Sequence, residues 1–200
     1  RTPNRCRGRI AITLPTPRVR RAMSSTLLER LQRIEWLVLD VDGVLTDGGI
    51  YYDNAGVELK RFHVRDGSGL KIWKFAGKHA AIITGRTSKL VEIRAAELGI
   101  TPVIQGAAEK LPAYRQFLAE TRCKPDQVCA VGDDVPDLGV LRHSGLAVAV
   151  ADACPEARDV ADYVTRVRGG FGAIREVIEL ILAAQGKWQP VVDRFRNEPL

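Results

Sequence analysis

The chain has 200 residues, 46% apolar and 27% charged, which suits one soluble domain with a real hydrophobic core and leaves little room for two. These values exclude a disordered, collagen-like or disulfide-scaffold chain, and no apolar stretch nears the roughly 20 residues of a membrane helix. The formal charge of +6 is unevenly spread: residues 1–22 hold seven arginines and no acid, leaving 23 basic against 24 acidic residues in the rest.

In chain order, residues 1–22, with Pro3, Pro15 and Pro17 among the arginines, are predicted to form a disordered extension. A transit peptide and an arm for anionic partners are the other readings of that composition. A short helix is expected over 24–33, with Ser24 or Ser25 as its cap. Residues 36–40 (WLVLD) are apolar without alternation, the mark of a central strand buried on both faces, and the run ends on a carboxylate. GGIYYDNAGVELKRFHV, over 48–64, reads as a hairpin around Asp53, Asn54 and Gly56. A helix over 66–75, a strand over 80–84 and a helix over 88–98 stopped by Gly99 follow. The same grammar then pairs 103–105 with 109–120, 128–131 with 137–142, 147–150 with 155–160, and 163–164 with 172–185. This alternation produces an α/β fold, a doubly wound Rossmann-like sheet with its crevice at the carboxyl ends of the strands. Residues from 187 onward lose periodicity and read as a flexible or partner-docking tail. The expected organisation is an extension over 1–22, one domain over 23–188 and a tail over 189–200.

Cys6, Cys123, Cys129 and Cys154 form no C-x-x-C pair and show no zinc spacing, so incidental thiols in a reducing, cytoplasmic compartment are expected. The body carries no helix-turn-helix, RNP or zinc-finger signature. Neither nucleic acid nor membrane is an expected partner.

Polar residues gather where predicted strands end. Asp40 and Asp42, two apart after an apolar strand, repel each other unless a cation or proton stands between them. Gly43 lets the chain turn so that both face one crevice. Asp133, after the buried run VCAVG, can approach from a neighbouring strand and complete an oxygen-only cation site. Hard oxygen ligands without His or Cys suit Mg²⁺, which commonly shares its shell with a phosphate. Thr84, with the amides of Gly85 and Arg86, supplies hydrogen-bond donors for that phosphate, and Lys110 supplies charge. One aspartate can then attack phosphorus while the other donates a proton to the leaving alcohol. A calcium loop is the bland alternative for Asp-x-Asp-Gly, but the third ligand and later glutamate of an EF-hand are absent. A non-catalytic phosphosugar-binding protein is the other, since fold does not fix function.

The motifs D40-V-D42-G-V-L-T46, I-T84-G-R, K110 and G-D133-D134-V-P-D137 occur in order, and over residues 31–188 the chain resembles the haloacid dehalogenase superfamily of phosphotransferases. The resemblance implies that Asp40 is the nucleophile, Asp42 the general acid and base, and Thr84 and Lys110 the phosphate holders. It also implies Mg²⁺ held by the side chains of Asp40 and Asp133 and the main-chain carbonyl of Asp42, with Asp134 and Asp137 in support. Asp40 lies 44 residues before Thr84, which lies 26 before Lys110, so neither gap can house a cap domain. In capless members oligomerisation closes the site. LTDGGIYYDNAGVELKRFHVRDGSG, ITGRTSKLVEIRAAELGI, VGDDVPDL and ADYVTRVRGGFGAIREVIELILAAQGKW resemble the capless branch that acts on octulosonate phosphates and makes a free sugar acid for lipopolysaccharide. That likeness implies a phosphorylated sugar-acid substrate and a homotetramer with hairpins packed centrally and C-terminal segments reaching a neighbour's site. A related capless group acting on nonulosonate 9-phosphates tends to carry Glu where Arg86 stands. Arginine there can pair bidentately with a sugar-acid carboxylate, and Arg65 and Lys60 are weaker candidates for that role. Phe171 occupies a place where Arg is often seen, and His63, His79 and His143 match no motif.

Overall fold

The computed structural model describes residues 25–197, so the readings of the Arg-rich segment 1–22 lie outside the described residues. The described residues begin with helix α1 (Ser25–Arg33) and strand β1 (Trp36–Leu39), then form a small hairpin from β2 (Tyr51–Tyr52) and β3 (Glu58–Leu59). Next come α2 (Val64–Phe75), β4 (His79–Ile83), α3 (Lys89–Leu98), β5 (Val103–Ile104) and α4 (Lys110–Thr121). The second half runs β6 (Val128–Gly132), α5 (Leu138–His143), β7 (Leu146–Ala149), α6 (Pro155–Val160), β8 (Tyr163–Val164), α7 (Ala173–Ala184) and α8 (Trp188–Arg196).

The apolar run of β1 is buried from Leu37 onward because it has a neighbour on each side. Leu39 stands opposite Ile82 of β4 and Val131 of β6, both in parallel register. The six-stranded order is β5-β4-β1-β6-β7-β8, parallel throughout. Strand order reverses direction at β1, so its carboxyl end lies at the switch point where such sheets open a crevice. Helices α1, α2 and α7 pack together, and α4, α5 and α6 form a second group. Leu37, Leu39, Ile82, Trp73, Tyr114, Phe117 and Ile174 are among the fully buried side chains of the core. This is the doubly wound fold expected, with a hairpin inserted after the first strand.

Three local readings change. The hairpin pairs only Tyr51–Leu59 and Tyr52–Glu58, with a single further bridge between Thr46 and Phe62, so the paired arms are much shorter than 48–64. Its turn is held by Asp53, whose carboxylate accepts from the amides of Ala55 (2.9 Å) and Val57 (2.8 Å). Helix α2 starts at Val64 rather than 66, because the His63 ring caps it by accepting from the Arg65 amide. The third change is at the C-terminus, where the expected tail is helical through Arg196. Trp188 and Val191 are buried, and the guanidinium groups of Arg175 and Arg194 lie over the rings of Trp188 and Phe75. Cation and ring contacts hold this segment, and its apolar residues Trp188, Val191, Val192 and Phe195 recur at helical spacing, against the loss of periodicity read from the sequence.

One loop contact matters for the site. The segment after β8 brings Gly169 and Gly170 onto the loop after β1, with the Gly170 amide donating to Val44 O at 2.9 Å. A Cβ at Gly169 would fall 1.6 Å from Gly43 O, and one at Gly170 2.3 Å from the Asp47 amide. Only bare backbone fits there.

Candidate active site

Asp40 follows β1 directly, and its amide donates to Val131 O at 3.2 Å, which ties it to β6. Asp133 follows β6. The turn at Gly43, with φ of +92°, brings the two loops so close that a Cβ there would lie 2.1 Å from Asp133 Oδ2. Asp137 completes a group in which one carboxylate oxygen from each of Asp40, Asp133 and Asp137 lies within 4.8 Å of the others.

Asp137 is built in from two sides. Its Oδ2 accepts from the amides of Asp133 (3.0 Å) and Asp134 (3.3 Å), and its Oδ1 meets the Lys110 ammonium at 2.6 Å. Lys110 opens α4 and is itself buried, with its Nζ also 2.7 Å from Asp40 Oδ1. That contact is a close ion pair between two buried groups.

Three carboxylates face one ammonium, and the acidity of Asp40 and Asp133 records it. Burial, then the neighbouring Asp137, pushes Asp40 up to about 6 against the pull of Lys110. Burial, then Asp40 and Asp137, pushes Asp133 up to about 7. Burial opposes charge on Lys110 as well, yet Asp40 and Asp137 hold its ammonium above the usual lysine range. An all-oxygen set with surplus negative charge suits a hard divalent cation such as Mg²⁺.

The other expected residues divide. Asp42 does not join the carboxylate group; its side chain is a quarter exposed and contacts the Lys60 ammonium. The cation beside it is therefore a lysine of the chain. Thr84 is buried at the end of β4, its amide donating to Ile104 O at 2.9 Å and its carbonyl accepting from the Ala107 amide. Gly85 and Arg86 sit on the loop before α3, not at its N-terminus, since Ser88 is the cap residue. Their amides are loop donors rather than helix-end donors. Arg86 is held by Glu58 of β3 at 2.8 Å, and its Nε is 3.8 Å from Asp42 Oδ2. Arg65 is exposed on the first turn of α2, and among the described residues no side-chain hydrogen bond or ion pair joins it to the site. Asp134 faces solvent and accepts from the Val135 amide at 2.8 Å, capping a short turn instead of backing the metal site.

One residue escaped the sequence reading, and a second was read there for a different contact. Glu58 accepts from Arg86 and from the Ser88 hydroxyl at 2.6 Å, which holds its carboxyl below the usual range. Lys60 was considered for a substrate carboxylate, whereas it reaches back to Asp42. Their positions at alternate sites on a strand-like arm were the available signal.

Comparison with known proteins agrees with this geometry. Residues 78–178 match the family model of haloacid dehalogenase-like hydrolases. The chain is 50% identical over 165 residues, covering 82% of it and 88% of the relative, to the 3-deoxy-D-manno-octulosonate 8-phosphate phosphatase KdsC of Yersinia pestis. A structure of the phosphatase of that name from Moraxella catarrhalis, in complex with magnesium ion, phosphate ion and KDO, superposes with a TM-score of 0.84. It is 40% identical, and the match covers 86% of this chain and 99% of that one. A cobalt-bound structure of the Haemophilus influenzae deoxy-D-mannose-octulosonate 8-phosphate phosphatase gives 0.77 at 40% identity, covering 80% and 93%.

Proposed function

The chain belongs to the haloacid dehalogenase-like hydrolases, and on that footing we propose that it is a Mg²⁺-dependent phosphatase of 3-deoxy-D-manno-octulosonate 8-phosphate. Its product would be the free sugar acid used in lipopolysaccharide synthesis. The observation that carries this reading is the convergence of Asp40 and Asp133 from adjacent parallel strands, with Lys110 between Asp40 and Asp137. Relatives half identical over most of their length carry the same named activity.

The residues that would hold Mg²⁺ are Asp40 and Asp133 through their side chains and Asp42 through its main-chain carbonyl, with Asp137 behind them. When bound, the ion supplies charge neutralisation that lets an anionic phosphate approach anionic carboxylates. Asp40 then attacks phosphorus, the bond from phosphorus to the sugar oxygen breaks, and Asp42 protonates that oxygen as it leaves. The aspartyl-phosphate on Asp40 is hydrolysed by water, from which Asp42 takes a proton, and phosphate departs. Lys110 and Thr84, with the Gly85 amide, hold the phosphoryl oxygens as charge moves among them. Arg86, held 2.8 Å from Glu58, offers its guanidinium to the sugar-acid carboxylate, a group that octulosonate and nonulosonate esters share, so the choice of the octulosonate rests on the named activity of the relatives.

Catalysis is assigned to residues 23–188, with α8 docked on them, in a cytoplasmic enzyme. No helix of the described residues is long and apolar enough to cross a membrane. The hairpin region exposes Ile50, Tyr52, Val57 and Leu59, each at least 55%, a concentration of apolar surface that supports a homotetramer built through it. Light scattering tests the assembly. Phosphate release from the octulosonate 8-phosphate and a nonulosonate 9-phosphate, with and without Mg²⁺ and with Asp40→Asn, tests the chemistry; preference for the nonulosonate ester overturns the substrate assignment.

A further inference from the structure

Asp42 has to meet the leaving oxygen, yet it stands outside the Asp40, Asp133 and Asp137 group on a partly exposed turn. A short acidic side chain turns about two bonds, whereas proton transfer requires one oxygen to face the ester oxygen within hydrogen-bond reach. Lys60 restrains it. This lysine lies just beyond β3, its side chain is 4% exposed, and its ammonium contacts Asp42 Oδ1 while standing 3.5 Å from Glu58 Oε1. Glu58 is anchored in turn by Arg86 and Ser88. Among the described residues Asp42 Oδ2 makes no hydrogen bond, and its one ion-pair neighbour is Arg86 Nε at 3.8 Å, too far for a hydrogen bond. One oxygen is tied and the other is open.

We propose that Lys60 is a positioning residue for proton transfer, holding Asp42 through Oδ1 so that Oδ2 serves the leaving alcohol. The inference rests on the phosphatase reading and deepens it. In the step concerned the electron pair of the breaking phosphorus–oxygen bond stays on the sugar oxygen. The proton on Asp42 Oδ2 passes to that oxygen, Asp42 is left as carboxylate, and Lys60 neither gains nor loses a proton. Lysines are seldom buried this far, and a buried pair contributes little to stability by itself, so a role in orientation accounts for the placement.

The test uses the leaving group. A sugar alcohol must be protonated as it departs, whereas p-nitrophenolate leaves without a proton. Release of the leaving alcohol in a single turnover, before the hydrolysis of the Asp40 phosphate that both esters share, is measured from the octulosonate 8-phosphate and p-nitrophenyl phosphate for the wild type, Lys60→Met and Lys60→Arg, with steady-state kcat and KM beside it. With Lys60→Met, this single-turnover rate on the sugar ester falls about 10- to 100-fold with KM changed less than about threefold, and the loss on the aryl ester is at least about tenfold smaller. Lys60→Arg recovers part of the loss on the sugar ester. Equal losses on both esters, or a raised KM at unchanged kcat, overturn the proposal; the second result marks a substrate-binding lysine. If Lys60→Met fails to fold, Lys60→Arg carries the same comparison, with a smaller loss confined to the sugar ester as the expected result and equal losses overturning it. A wild type inactive on both esters overturns the phosphatase reading together with this one, while an active wild type with equal variant losses overturns only the role of Lys60.

Discussion

The ammonium of Lys110 stands 2.7 Å from Asp40 Oδ1, and both side chains are less than a tenth exposed. Removing one partner of such a pair leaves the other as an uncompensated buried charge. Lys110→Met is expected to lower phosphate release about 10²- to 10³-fold, the usual loss of one charge-stabilising donor. It should also destabilise the metal-free protein by about 3 kcal/mol at neutral pH, and less at pH 5, where protonation relieves Asp40. Single-turnover phosphate release and urea unfolding at the two pH values check both statements.

Asp40→Asn keeps the shape of the side chain and removes one of three converging charges. Phosphate release should fall by about three orders of magnitude or more, because the attacking oxygen is gone. The metal-free variant should nevertheless melt higher than the wild type at pH 7.5, by about 2–4 °C for each kcal/mol of repulsion removed. Calorimetric melting in the presence of a chelator decides it, and a lower melting temperature would show that the pairing with Lys110 outweighs the crowding.

Proton linkage gives a third prediction. Asp133 and Asp40 titrate near 7 and 6 in the fold, both above the ordinary 3.8. Between about pH 4 and 7 the folded protein therefore keeps protons that the unfolded chain has released, and the stability contributed by these two groups, full at the acid end, is lost as pH rises through that window. Mg²⁺ binding should release protons there and tighten with rising pH. Titration calorimetry at pH 6 in buffers of different ionisation enthalpy measures the release; a buffer-independent heat refutes it.

Asp66 of α2 is buried and crosses to the start of α7, where Oδ2 accepts from the Gly172 amide at 3.1 Å and Oδ1 from the Arg175 amide at 2.8 Å. Asp66→Ala strands two buried donors and is expected to cost about 2–4 kcal/mol in urea unfolding. Asp66→Asn, which retains an acceptor, should cost less.

The buried runs at 36–40 and 128–131 announced their strands because a parallel strand covered on both faces is apolar without alternation. Asp40, Asp133 and Lys110 were legible for the same reason: each sits where such a segment stops or a helix begins. Lys60 and Glu58 were not, because their partners lie across an insertion and no local period records which way an edge arm folds. Asp134 is expected from the sequence to support the metal site beside Asp137, and only the turn at 135–137, which it caps, turns it out to solvent. Helix α8 was legible in the spacing of Trp188, Val191, Val192 and Phe195, but Pro190 inside the run reads as a helix breaker, although in the first helical turn it is tolerated.

Gly169 and Gly170 rest against residues 43–47 with no room for a single methyl group. A saturation screen scored on turnover should consequently find a second intolerant stretch at Gly169 and Gly170, 129 and 130 positions downstream of Asp40, in a segment assigned no reacting atom. Sensitivity at that stretch would report the clearance between two main chains, and ranking positions by lost turnover alone would mistake a spacer for chemistry.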